Sequence, residues 1–150
     1  MSARSVRPAT TADLPRCRAI QSAALSEPWP GLLSTALESG ATFLVVTADG
    51  TDPVGYAVAF AVPSAPVYVP ELAVGPDHQG EGNGTRLLCG LVDDLAGSGH
   101  DRVRLTVRAD DDRAREFYRA RGFSVLERRP DHFESGDGLL LERRLDSPTG

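Results

Sequence analysis

Hydrophobic positions along this chain follow two periods. Runs of strand length and strand composition occupy residues 41–47, 54–62, 67–74, 103–107, 123–128 and 138–145, and residues 5–9 read as a first edge strand. Leu139, Leu140 and Leu141 are consecutive and apolar, the pattern of a strand covered on both faces. Between the strands the period shifts to that of a helix. Leu14, Cys17, Ile20 and Ala24 form one inward stripe, with Thr10 or Thr11 as its cap and Asp13 in its first turn. Pro28-Trp29-Pro30 breaks the chain, and a short helix is predicted over 31–38. Leu87, Leu88, Leu91, Val92 and Leu95 line a helix over 82–96, which ends at Gly97-Ser98-Gly99. A last helix is predicted over 112–121. Turns fall at Asp49-Gly50, extended through Asp52-Pro53, and over 63–66.

The order β-α-α-β-β-β-α-β-α-β-β implies an α/β (α+β) protein: a mixed central sheet of six to seven strands flanked by about four helices. At 150 residues the chain suits one domain with a substantial core, assigned to residues 1–146, with 147–150 as a flexible C-terminal tail. There are no repeats and no linker.

Composition narrows the function classes. Hydrophobic content of 41% and charged content of 25% are ordinary for a soluble globular protein. No apolar run approaches the ~20 residues of a membrane helix, and no apolar signal region precedes the first strand. A cytoplasmic location follows, with no membrane partner. The net charge of −5 argues against nucleic acid and suits a cationic acceptor. Cys17 and Cys89 sit in helix-patterned segments among apolar neighbours, as buried free thiols. His78, His100 and His132 are scattered, no Cys/His spacing suits zinc, and no metal is expected.

Candidate chemistry concentrates at Gln79-Gly80-Glu81-Gly82-Asn83-Gly84. This stretch follows the 67–74 strand and a Pro76-Asp77 turn, and opens into the helix that begins with Gly82 and continues through Thr85. Strand, glycine-rich turn and helix start make a phosphate site: glycines admit close backbone approach, and the first helical amides and the helix dipole face the anion. A Walker loop is excluded because the chain has no lysine; all 16 basic residues are arginine. The dinucleotide fingerprint is excluded because Thr85 stands where its third glycine belongs. What remains is Gln-x-x-Gly-x-Gly, carried by Gln79, Gly82 and Gly84. Alone, such a hexapeptide is equally readable as a plain strand-to-helix turn.

Downstream residues add a second pattern. After the 103–107 strand come Asp111, Ala114, Phe117-Tyr118 and Gly122-Phe123. Together the two patterns, in this order and at this separation, resemble the signatures of the GNAT superfamily of N-acyltransferases over nearly the whole chain. Ile20-Gln21-Ser22 and 25–29 resemble the first-helix region of the branch that acetylates ribosomal-protein N-termini. The resemblance implies the acyl-CoA N-acyltransferase fold and direct transfer of acetyl from acetyl-CoA, as cosubstrate, to a primary amine. The acceptor is a peptide N-terminus or a small molecule, and the protein is a monomer or homodimer.

The resemblance also implies roles. Backbone groups of Leu72, Ala73 and Val74 pair with the pantetheine arm. Amides of Gly80, Glu81, Gly82, Asn83, Gly84 and Thr85 take the pyrophosphate, with Gln79 bracing the loop. Asp111 and Ala114 stand in the second cofactor-binding segment, and Asp111 is equally suited to capping its helix. Tyr118 protonates the leaving thiolate, the alternative being a core tyrosine beside Phe117. Glu71 is the candidate for receiving the amine proton, through water; as a rim carboxylate it would instead attract a cationic acceptor. Three positions depart from the family pattern: Thr106 replaces a basic Glu of the N-terminal branch, Asp111 replaces an Asn, and Asn83 replaces an aliphatic residue. The departures keep two rivals open, a small-molecule amine acetylase and a non-catalytic acyl-CoA-binding module.

Overall fold

The computed structural model describes residues 5–25, 27–48, 52–134 and 136–145. The Asp49-Gly50 turn and the 147–150 tail lie outside them. Among the described residues, seven strands and four helices follow the predicted order. They are β1 Ser5–Pro8, α1 Leu14–Ala24, α2 Leu32–Ser39, β2 Thr42–Thr47, β3 Pro53–Phe60, β4 Val67–Val74, α3 Asn83–Gly97, β5 Arg102–Arg108, α4 Asp112–Ala120, β6 Ser124–Phe133 and β7 Gly136–Arg144. The strands form one mixed sheet in the order β1-β2-β3-β4-β5-β7-β6. The chain divides into two compact units, Met1–Phe60 with Glu71–Asp94 and Ala61–Pro70 with Leu95–Gly150, so β4 contributes its first half to one and its second half to the other.

In the first unit, antiparallel β1, β2 and β3 pair through Ser5↔Thr47 and Phe43↔Val58. The period of two sends Phe43, Val45, Tyr56 and Val58 to one face, where they pack with Cys17, Ile20, Leu32, Leu33 and Ala36 of α1 and α2. Helix α3 lies on the opposite face: a Cβ on Gly90 would stand 3.0 Å from Val6. A 3-10 turn over Thr11–Asp13 precedes α1. The Asp13 carboxylate accepts from the Thr10 amide at 2.8 Å and takes both guanidinium arms of Arg7, at 2.8 and 3.0 Å.

In the second unit, β4 runs parallel to β5 from Val67↔Val103 to Val69↔Leu105, and among the described residues the pairing ends there. Strands β5, β7 and β6 are antiparallel, and Leu139, Leu140 and Leu141 are buried as predicted. Three expectations are corrected. Strand β3 ends at Phe60, and Val62 is 60% exposed in the turn that follows, where its carbonyl accepts from the Ala65 amide. Strand β6 runs to Phe133, because register shifts at 125–127 and 129–133 break its alternation. Cys89 is exposed: it falls off the stripe formed by Leu87, Leu88, Leu91 and Leu95.

Buried titratable groups predict the pH range of stability. The Arg7 hydrogen bond holds Asp13 below the usual carboxylate range, so its contribution is present near neutrality and is lost as pH falls through that lowered value. Burial pushes the Cys17 thiol from 9.0 up to about 12, and burial with the Glu71 hydrogen bond pushes the Tyr56 phenol well up. Both are neutral in the folded state and ionise more readily when unfolded. The Cys17 contribution is therefore complete below 9.0 and is lost as pH rises toward about 12, and that of Tyr56 is complete below 10.0 and is lost only at higher pH. Thermal unfolding followed from pH 7 to 11 is expected to show Tm falling above about 9, and Cys17→Ala to flatten the first part of that fall.

Candidate active site

The glycine-rich segment is built as a braced loop. Strand β4 leads through a 3-10 turn, Pro76–His78, to residues 79–82 and into α3. The Gln79 amide group donates to the Val74 carbonyl at 3.0 Å, which ties the loop to the end of β4. Gly80 and Gly82 hold φ of +79° and +84°, which side chains with a Cβ resist. The first turn of α3 closes through Arg86 N to Gly82 O at 3.0 Å, so the loop delivers its chain at the amide end of the helix.

Asn83 explains its own departure from the aliphatic pattern. It is 1% exposed, donates Nδ2 to the His78 carbonyl at 3.1 Å, and accepts from Arg86 Nη1 at 3.4 Å. Arg86 also donates to the Glu81 carbonyl at 3.0 Å, and its guanidinium lies 3.2 Å from where a Cβ on Gly82 would stand. Sequence reasoning passed over Arg86. The available signal was a cation in the first turn of a helix, where the dipole disfavours it unless an anion is expected nearby. Asn83→Leu is expected to leave the His78 carbonyl without its donor, at a cost of about 1 kcal/mol, or roughly 2–4 °C in Tm at this size. Calorimetry should show weakened acetyl-CoA affinity in the same variant; unchanged Tm and affinity would remove the role of the tie.

Glu71 is not at a rim. It is 7% exposed and its oxygens are taken by the fold: Oε1 accepts from Tyr56 Oη at 2.7 Å and Gln21 Nε2 at 2.9 Å, and Oε2 accepts from the Trp29 amide at 2.8 Å. A carboxylate offers about four acceptor positions, so one on Oε2 remains. The network fixes the α1–α2 connection onto β3 and β4, with Trp29 53% exposed and its ring 6.5 Å from Phe60. From sequence, Gln21 stood out only within Ile20-Gln21-Ser22 and Tyr56 did not stand out at all. Tyr56 carried a signal, since a phenol inside an apolar strand needs a partner.

In the second unit, Asp111 caps α4, its carboxylate accepting from the Ala114 amide at 3.0 Å. Tyr118 is 9% exposed and edge-on to Phe117 and Phe123, with centroids at 5.1 and 5.4 Å. The chain returns through Gly122, and Phe123 N donates to Tyr118 O at 3.0 Å. Burial, and then the negative charge of Asp111, push the Tyr118 phenol well above its ordinary value. Its hydroxyl makes no hydrogen bond to another described residue. Thr106 has a partner on β4: Tyr68 Oη and Thr106 Oγ1 are 2.8 Å apart. Among the described residues no group of His, Cys, Asp and Glu could hold a metal, and no helix is long and apolar enough to cross a membrane.

Comparison with known proteins gives the family and the fold. The chain is 34% identical over 142 residues to an uncharacterised protein of Mycobacterium leprae, covering 90% of this chain and 39% of that protein's length. It is 32% identical over 148 residues to the N-alpha-acetyltransferase RimI of Mycobacterium tuberculosis, covering 93% and 92% of the two chains. The crystal structure of the ribosomal-protein-S18-alanine N-acetyltransferase from Escherichia coli shares the fold, with a TM-score of 0.87, 23% identity and coverage of 96% and 95%. The model of the acetyltransferase (GNAT) family matches residues 7–123, which takes in both the braced loop and the Tyr118 helix, and the chain belongs to that family.

Proposed function

We propose that this protein transfers the acetyl group of acetyl-CoA directly to a primary amine, with a peptide or protein N-terminus as the acceptor. The observation that carries the reading is the braced loop: two left-handed glycines, Gln79 on the Val74 carbonyl, and Asn83 and Arg86 beneath. A phosphate-bearing ligand needs backbone amides brought close without a side chain between, and a Cβ on Gly82 would press on the Arg86 guanidinium at 3.2 Å. In this reading the amides of residues 80–85 hold the pyrophosphate, backbone groups of Leu72, Ala73 and Val74 hold the pantetheine arm, and Asp111 and Ala114 shape the helix start that carries Tyr118. The thioester supplies an activated acetyl group; the remaining tasks fall to the chain.

Tyr118 gives the leaving sulfur its proton, and its raised phenol value keeps that proton in place near neutrality. Glu71 offers its remaining Oε2 position to the acceptor's ammonium, or to a water bound to it. An α-amine titrates near ~8 and a lysine side chain near ~10.4, so a peptide N-terminus reaches the reactive neutral form at lower cost. The kinship with an N-alpha-acetyltransferase supports the same acceptor class. The setting proposed is the cytoplasm, for a monomer or homodimer that needs neither nucleic acid nor membrane.

Two measurements on one preparation test this: calorimetric titration of acetyl-CoA, and thiol release over a panel of N-terminal peptides, amino acids and polyamines. Binding with turnover on peptides supports the proposal. Turnover on small amines alone replaces the acceptor class, binding without turnover favours a non-catalytic acyl-CoA-binding module, and absence of binding removes the reading of the loop.

A further inference from the structure

The second unit contains a polar cluster that the loop and Tyr118 do not use. Strand β6 changes register between Arg129 and Phe133, and within that bulge Asp131 holds φ of +54°, a backbone state that residues with a Cβ visit at a cost. The strain is held from β7. Asp137 accepts from the Asp131 amide through Oδ1 at 2.9 Å and from Arg128 Nε through Oδ2 at 2.9 Å, while its own carbonyl accepts from the Ala109 amide at 2.9 Å. The consequence falls on the next residue. His132 is carried over β7 at Gly138: a Cβ on Gly138 would stand 3.1 Å from His132 Cβ, 3.2 Å from His132 Cδ2 and 2.9 Å from Thr106 Cγ2. His132 and Thr106 thus converge on one point from opposite sides, and only a residue without a side chain admits both. Tyr68 closes the cluster through its 2.8 Å hydrogen bond to Thr106.

A bulge next to a functional site serves to re-aim a side chain, and the side chain re-aimed here is an imidazole. Its ring stands edge-on to Phe133, centroids 4.8 Å apart, and it makes no hydrogen bond to another described residue. Charged residues of the elements that meet here include Arg128, Arg129 and Asp131 on its own strand, Asp137 on β7, and Arg108 of β5, whose guanidinium lies 6.0 Å from the Phe133 ring. Thr106, at the floor of the cluster, has no titrating group of its own near neutral pH. The His132 imidazole, which meets Thr106 at Gly138, is exposed.

We propose that His132, brought toward Thr106 at Gly138 by the Asp131 bulge, accepts the proton of the acceptor's ammonium. The inference rests on the transferase reading above. An N–H bond of the ammonium breaks and its proton passes to a ring nitrogen of His132. The freed lone pair forms the C–N bond to the acetyl carbon as the C–S bond breaks. The thiolate takes the phenolic proton of Tyr118, Tyr118 is reprotonated by the newly acylated nitrogen, and His132 releases its proton to solvent. A ring nitrogen without a partner among the described residues is able to take this proton, and such proton transfer contributes ~10²–10⁴ in rate.

The test uses the full-length protein, and the readout is acetylated peptide by mass spectrometry on a peptide that begins with alanine, or on whichever amine of the panel the wild type acetylates. His132→Ala is expected to lower kcat/KM by about 10²-fold or more, to keep acetyl-CoA affinity, and to regain rate when free imidazole is added. Gly138→Ala, which displaces His132 while leaving its chemistry intact, is expected to lower the rate with no rescue by imidazole. A His132→Ala variant with the wild-type rate overturns the inference, and so does a loss that imidazole leaves untouched. If the wild type turns over no amine at all, the transferase reading fails and this inference with it; wild-type turnover with an indifferent His132 sinks this inference alone.

Discussion

Tyr118→Phe is expected to lower kcat by about 10²–10⁴-fold and to leave the affinity for acetyl-CoA unchanged. The substitution removes one oxygen from a ring whose packing against Phe117 and Phe123 is otherwise kept, with edge-on contacts at 5.1 and 5.4 Å. No described residue loses a hydrogen bond, so the fold has no reason to respond. What is lost is a proton donor. The direction of the shift matters here: burial and the Asp111 charge both disfavour the phenolate, so the hydroxyl stays protonated well past neutral pH. The kcat of the wild type should therefore show no alkaline fall through the ordinary phenol range near ~10. Stopped-flow thiol release with calorimetry on the same variant checks this. A Phe variant with wild-type kcat would make Tyr118 a core residue and leave the leaving sulfur to solvent. A variant with lost affinity would make it part of the binding surface instead.

The parts of this site that were legible in the sequence are those carried by neighbours along the chain. The loop over residues 79–84, the strand before it and the helix after it follow from glycine placement and from a change of hydrophobic period. Tyr118 follows from helical spacing and its Phe-Tyr setting. The Glu71 network was not legible, because its donors come from positions 15 and 50 residues away and, for Trp29, from a backbone amide that no sequence pattern marks. The same holds for the arrangement at His132. Its placement depends on one residue with positive φ in an exposed edge strand, where neither face is buried and alternation carries little information. Asn83 shows the reverse case. In the sequence it is only a departure from an aliphatic position, whereas the structure turns the amide into a tie between the His78 carbonyl and Arg86, and the polar group is satisfied.

Gly82→Val is expected to weaken acetyl-CoA binding by about 5- to 150-fold, the equivalent of the ~1–3 kcal/mol that a strained backbone position costs. Two effects act together. At φ of +84° a β-branched residue is among the least tolerated, so the loop relaxes toward another conformation in the unliganded protein. In the original conformation, the new Cβ would lie 3.2 Å from Arg86 Nη1, pressing on the guanidinium that holds the Glu81 carbonyl and Asn83. Restoring the amide geometry then costs free energy that the ligand must supply, and the loss appears as affinity. The position is exposed, so global stability should change little and thermal unfolding provides the control. Gly80→Val makes the comparison sharper: it shares the positive φ but meets nothing within 4 Å, so it should carry the backbone strain without the clash and fall between wild type and Gly82→Val. Equal affinity in all three proteins would mean that these amides do not hold the phosphate, and the reading of the loop as the cosubstrate site would have to be given up.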